Sequence, residues 1–144
     1  LITGAGWFMY GAHSVEVSSR GQSMNYLDAV DMFGQLSVPK IVYYLIPVLV
    51  LVVAGYAVGR SVTGRRERNP GRGAVAGAST ALGYVALTGI GAVTVFTYTE
   101  TVSGPFGGAS QTIAMSPDLA SAIVLMGLLY PAVCGGVGGF LGGN

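Results

Sequence analysis

The stretch Arg60-Ser61-Val62-Thr63-Gly64-Arg65-Arg66-Glu67-Arg68-Asn69-Pro70-Gly71-Arg72 decides how the chain is arranged, because an apolar run long enough to cross a bilayer lies on either side of it. It reads as the hinge of a membrane hairpin. Arg60, Arg65, Arg66, Arg68 and Arg72 stand against Glu67 there, a local charge of +4, whereas Arg20 and Lys40 against Glu16, Asp28, Asp31, Glu100 and Asp118 leave the remainder at −3. Basic residues close to span ends stay on the cytoplasmic side. These arginines determine the expected topology: a cytoplasmic turn at 60–72, with segments 14–38 and 99–117 outside.

Composition agrees with a membrane setting. Hydrophobic residues make up 51% of the chain and charged residues only 9%, against roughly 25% charged in soluble domains. So few ionisable groups cannot cover a water-soluble core. The basic residues are also too few and too close to apolar runs to form a nucleic-acid patch. The single cysteine, Cys134, excludes an intramolecular disulfide.

Working outward from the hinge, the crossing before it runs over 39–60. Pro39 opens it, at a position where a missing N–H leaves no helical bond unmade. Tyr43 and Tyr44 anchor its outer end beside Lys40. Pro47 predicts a bend, and Gly55 with Gly59 forms a small-residue pair near the inner end. The crossing after the hinge, 73–98, is built of Gly, Ala, Ser and Thr. Gly73, Gly77 and Ala81 form one ridge, which suits close helix contact where lipid is as apolar as the helices themselves. Tyr84 lies near the middle of this span, where its hydroxyl needs a partner; Thr80, Thr88 or a neighbouring backbone would serve.

Beyond the outer segment 99–117, Ser116-Pro117-Asp118 is a helix-start signal for a crossing at 118–142. Gly127, Pro131, Gly135, Gly139 and Gly143 recur there every four residues, with Gly138 and Gly142 on the adjoining strip. An interior glycine costs about 1 kcal/mol against alanine in water, so a stripe of them needs a cause. Close helix packing is the usual one, and a pore or ligand surface made of exposed backbone is the rival.

On the amino-terminal side, residues 1–13 read as the end of a crossing whose beginning lies upstream. Trp7, Phe8 and Tyr10 mark the membrane boundary, and His13 reads as an interfacial histidine. Ser18, Ser19, Gly21, Gln22 and Ser23 read as loop. In Asn25-Tyr26-Leu27-Asp28-Ala29-Val30-Asp31-Met32-Phe33 the apolar positions fall at helical spacing with Asp28 and Asp31 on another face, which predicts a short amphipathic outer helix with solvated carboxylates.

The fold class expected is therefore an all-α membrane protein, one domain over 1–144, with about four transmembrane helices, the first truncated. No Asp, Glu, Lys, Arg or His occurs between Ile41 and Gly59, Ala74 and Thr97, or Leu119 and Leu141, whereas pumps, proton relays and ion-coupled carriers are marked by such groups. One His and one Cys provide no bis-histidine haem or thiolate metal site. The run Gly135-Gly136-Val137-Gly138-Gly139 lies inside an apolar span, where no strand precedes it as dinucleotide binding requires.

Gly6-Trp7-Phe8-Met9-Tyr10-Gly11-Ala12-His13, Tyr44-Leu45-Ile46-Pro47 running to Ala54-Gly55, Ala76-Gly77-Ala78-Ser79 leading to Leu82-Gly83-Tyr84, and Tyr130-Pro131 before the Gly135 to Gly139 cluster together resemble a family of uncharacterised haloarchaeal multi-pass membrane proteins. The resemblance covers most of the chain. It implies a multi-pass fold with further hydrophobic sequence upstream, and it implies no activity. The functional expectation is a non-enzymatic structural or accessory subunit of the cell membrane, without cofactor or metal. Its glycine-rich faces (Gly73, Gly77, Ala81, Gly127, Pro131, Gly135, Gly139 and Gly143) would dock on a second copy or on another integral membrane protein, with lipid around the rest. A small channel or transporter, with a path near the Pro- and Gly-broken helices, is the alternative.

Overall fold

A computed structural model describes residues 2–19, 21–63, 68–102 and 111–144. Of the hinge arginines, Arg60, Arg68 and Arg72 are described and exposed, while Arg65 and Arg66 lie outside the described residues. The elements in order are α1 (Ile2–Ala12), β1 (Glu16–Ser19), β2 (Gln22–Asn25), α2 (Tyr26–Met32), α3 (Lys40–Thr63), α4 (Pro70–Val95), β3 (Tyr98–Val102), β4 (Gln111–Pro117) and α5 (Leu119–Gly142).

The all-α part of the expectation is corrected. Among the described residues three helices, α3, α4 and α5, are long and apolar enough to cross a membrane, and the described part of α1, expected as the truncated end of a further crossing, has 11 residues. Segments 14–38 and 99–117 are not simple loops. They contribute an antiparallel sheet in the order β2-β1-β4-β3.

The sheet forms from two hairpins. Ser19 pairs with Gln22 in the first, and Gly21 at φ +78° supplies the left-handed residue that such a tight reversal needs. In the second, Thr99, Thr101, Thr112 and Ile113 are β-branched residues suited to a pleated ladder. Val17 pairs with Pro117 and Ser19 with Met115, which joins the hairpins through β1 and β4. Both segments therefore lie at the same end of the helices. Beside the sheet, Asn25 caps α2 by accepting from the Leu27 N–H at 2.9 Å, and Lys40 Nζ lies 2.6 Å from Asp28 Oδ1 and 3.8 Å from Asp31 Oδ2 on the exposed face.

The long helices begin where local chemistry starts them. The Asn69 carboxamide accepts from the Arg72 N–H at 2.9 Å and Pro70 occupies the first turn, so α4 begins one turn earlier than hydropathy predicts. Asp118 caps α5 through the Ser121 N–H at 2.8 Å. Two stretches widen to π-helix, Gly91–Val95 near the end of α4 and Ala122–Leu129 in α5. The second precedes Pro131. Proline has no N–H and its ring crowds the carbonyl four residues back, and a widened turn removes that conflict.

Tyr10 and Val15 from the α1 end pack against Ala92, Ala122 and Met126 of these two π segments, with Tyr84, Phe96 and Leu125 around them. The Tyr10 hydroxyl donates to the Thr88 carbonyl at 2.6 Å. The end of α1 therefore packs against α4 and α5 at their sheet-side ends.

Two outcomes are expected. In a Cys134→Ser background, a membrane-impermeant thiol reagent on intact cells should modify Thr101→Cys and should reach Ser61→Cys only after permeabilisation. Replacing Asp118 by Ala should lower stability by about 1 kcal/mol, and by Asn far less, in a detergent melting series. The Ser121 N–H holds the Asp118 carboxyl below its ordinary value. The contribution of its charge is then complete above about pH 4 and is lost as pH falls through the lowered value.

Candidate functional site

The small residues picked out by spacing meet one another inside the chain. A Cβ built on Gly135 would lie within 3.0 Å of the Gly77 carbonyl, and one on Gly55 or Gly77 equally close to the Gly135 carbonyl. One turn on, a Cβ on Gly59 or Gly73 would meet the Gly139 carbonyl in the same way. Helix α5 thus packs at backbone contact on both α3 and α4, which also touch each other. The adjoining strip continues the contact with α3: Gly138 faces the Val52 carbonyl and Gly142 the Tyr56 carbonyl. At the foot, Gly143 abuts Asn69 and Pro70, and its carbonyl accepts the Asn69 N–H at 3.0 Å.

Gly127 stands farther up, 3.0 Å from the Thr88 hydroxyl oxygen by the same construction. Pro131 and Ala81 are buried on their helices. At Gly135 and Gly139 the neighbours across the helices are backbone atoms, joined at Gly135 by the Thr80 hydroxyl oxygen, so helix separation there is set mainly by backbone. Such contact lets dispersion forces act over a long seam, which is what holds helices together in lipid. The large apolar side chains point the other way: Val75, Leu82 and Leu87 on α4, and Val133, Val137 and Leu141 on α5, are exposed.

A second cluster lies above the glycine seam. His13, expected at an interface, is instead buried, with 2% of its surface exposed. The chain leaves α1 with Ser14 at φ 61°; the Val15 N–H bonds the Tyr10 carbonyl at 3.0 Å and the Ser14 N–H the Gly11 carbonyl at 2.9 Å. This is the Schellman arrangement with serine where glycine is usual, and it fixes His13 at the helix end. His13 Nδ1 lies 2.8 Å from the Met9 carbonyl oxygen. A carbonyl only accepts, so Nδ1 carries the proton, and in the neutral ring Nε2 is left as an acceptor.

The Tyr84 hydroxyl stands 3.5 Å from His13 Nε2, and the Tyr130 ring packs edge-on to the imidazole at 5.1 Å. The partner of Tyr84 is therefore this histidine. Thr80 and Thr88 turn their hydroxyls back to the Gly77 and Val85 carbonyls of their own helix. Burial of His13 depends on residues far away in the chain, and only its position at the end of an aromatic run was readable in advance.

Beside this pair opens a cavity of about 320 Å³, with Phe8, His13, Tyr43, Pro47, Val50 and Tyr84 in its wall. A larger hollow, about 630 Å³, lies at the sheet and α2 and is bordered by exposed Gln22, Ser23 and Met24. Among the described residues no three His, Cys, Asp or Glu side chains come together as metal ligands.

Over residues 1–144 the chain matches the family of unknown function DUF7978, and it belongs to that family. No curated protein and no solved structure matches it.

Neighbouring glycines provide the sharpest check on the seam. Gly135→Ala should destabilise the fold by more than 1 kcal/mol, because its methyl group would have to displace the α4 backbone. Gly136→Ala should be neutral or stabilising by up to about 1 kcal/mol, since the nearest atom to its Cβ is 3.7 Å away. Melting of both variants in one detergent measures the difference. Equal melting temperatures would contradict the backbone contact at Gly135.

Proposed function

We propose that this chain is a non-enzymatic, multi-pass protein of the cell membrane that works by association, as a structural or accessory subunit bound to a second copy or to another integral membrane protein. The observation that carries the proposal is the set of bulky apolar side chains left exposed on α4 and α5: Val75, Leu82, Leu87, Val133, Val137 and Leu141. Behind them the glycine seam makes the inner half of α3, α4 and α5 a scaffold of backbone contacts, with no Asp, Glu, Lys, Arg or His between Ile41 and Gly59, Ala74 and Thr97, or Leu119 and Leu141. Such a scaffold suits holding a shape and has no evident means of moving a charge.

In this reading the glycines build the subunit itself, and the bulky outer rows meet lipid or the partner helix. The arginine-rich hinge faces the cytoplasm and the sheet faces outward. The resemblance to haloarchaeal multi-pass proteins agrees with this arrangement.

A small channel or carrier is the second reading. It is favoured by the cavity wall, where Pro47 in α3 adjoins the His13 and Tyr84 pair, since broken helices around polar groups are a mark of transport paths. Extraction in native lipid discs, followed by mass measurement and identification of co-purifying chains, separates the two readings. Association predicts a stoichiometric assembly and no solute flux in vesicles. A monomer that conducts solute, with flux blocked by Val50→Trp, would replace the first reading with the second.

A further inference from the structure

We infer that the cavity between α1, α3 and α4 is a binding site for a long-chain alcohol, a hydrocarbon ending in one hydroxyl group, whose oxygen sits against His13 and Tyr84. This goes beyond the association reading and does not depend on it.

The hydrocarbon part follows from the wall. Phe8, Tyr43, Pro47 and Val50 line the cavity, which lies along the first turns of a 24-residue apolar helix. Val50 and Ile46 in the wall are 60% and 51% exposed at the helix surface, so the cavity opens sideways toward acyl chains. A volume of about 320 Å³ is at the small end of ligand cavities. It holds the head of a chain whose tail runs out into lipid.

The hydroxyl follows from the polar pair. Nδ1–H is committed to the Met9 carbonyl, so the neutral ring offers Nε2 as an acceptor alone. Tyr84 Oη is 3.5 Å from it, beyond the 2.7–3.2 Å range of well-made bonds. The two groups partner each other across this long contact, so an oxygen between them would exchange one weak bond for two well-made ones. An oxygen placed about 2.8 Å from each atom would complete a triangle, donating to Nε2 and accepting from the Tyr84 O–H. A hydroxyl does both. A quinone or ester carbonyl accepts only and leaves Nε2 unmatched; a carboxylate would lack the donor and would bring an unpaired charge into the membrane. Pro47, having no N–H, also leaves the Tyr43 carbonyl without its usual helical donor, a further acceptor on the wall's own helix.

The test uses the full chain in lipid nanodiscs and a diazirine analogue of geranylgeraniol as the probe. Photolabelling is expected on peptides carrying Met9 and Val50. Unlabelled geranylgeraniol should compete, with its methyl ether and a menaquinone each weaker by roughly threefold or more, the equivalent of one hydrogen bond. Val50→Trp, at an exposed position, should fill the cavity and abolish labelling, whereas Leu49→Trp, on the same exposed helix and outside the wall, should not. Tyr84→Phe should erase the preference for alcohol over ether.

Equal competition by alcohol and ether would reduce the cavity to a crevice for lipid tails, or to one whose polar pair is bridged by water, and overturn the inference. Equal competition by the menaquinone would overturn the hydroxyl assignment, and labelling that survives Val50→Trp would place the probe elsewhere. If Tyr84→Phe fails to fold, the tryptophan pair and the ether comparison still decide the matter.

Discussion

The contact between carbonyl oxygens and glycine Cα atoms at Gly135 and Gly139 is the constraint on which the rest of the structure depends. In water a helix bundle is driven together by burial of large side chains, but lipid removes most of that drive. What remains is dispersion between surfaces that fit and the cost of leaving gaps. Gly55 and Gly59 on α3 and Gly73 and Gly77 on α4 present flat surfaces to the same two glycines. One helix can therefore contact two neighbours at once because glycines meet glycines at that level.

The glycine seam shapes the other half. Where glycines end, the helices need larger residues between them, and α3 departs from its neighbours: its contacts fall mainly on the hinge-side part of α4 and the last turns of α5, while the sheet-side parts of α4 and α5 pack on each other. Helix α1 enters the sheet-side half, with Tyr10 and Val15 against the π segments and Phe8 against Tyr43 of α3, ring centres 5.9 Å apart. Gly6 lets the Phe96 ring lie on α1, and the Trp7 indole donates to the Phe96 carbonyl at 2.9 Å. The cavity at Pro47 lies beside this wedge, where α3 has turned away and α1 does not fill the space. The candidate site is thus a consequence of packing tightly at one end and loosely at the other.

Much of this was legible in the sequence for a simple reason: it depends on neighbours in the chain. Three membrane-length apolar helices follow from hydropathy, the helix start at Asp118 from a local acceptor, and the glycine rows from a four-residue period. The sheet was not legible, because its central pairing joins Val17 to Pro117, and strands rich in serine and threonine look like loop until a partner is known. The position of His13 was hidden likewise. An isolated histidine after aromatic residues looks interfacial; only Tyr84 and Tyr130, brought over by α4 and α5, bury it.

Ser14 shows how the chain tolerates a local cost to reach that position. A non-glycine residue in the left-handed region costs about 1–2 kcal/mol, and a glycine there would close the helix with less strain. Serine instead keeps its hydroxyl 3.4 Å from the Tyr130 hydroxyl, and the reversal sends the chain from His13 directly into Val15, which is fully buried. If the turn relaxed outward, two residues without charge but with large buried surfaces would leave their packing together. The strain is therefore held by the contacts on either side of it, Val15 against Ala122 and Met126, and His13 between two tyrosines. That arrangement makes the end of α1 a fixed wall, and a fixed wall is what allows one imidazole nitrogen to face a neighbouring hydroxyl across an apolar cavity.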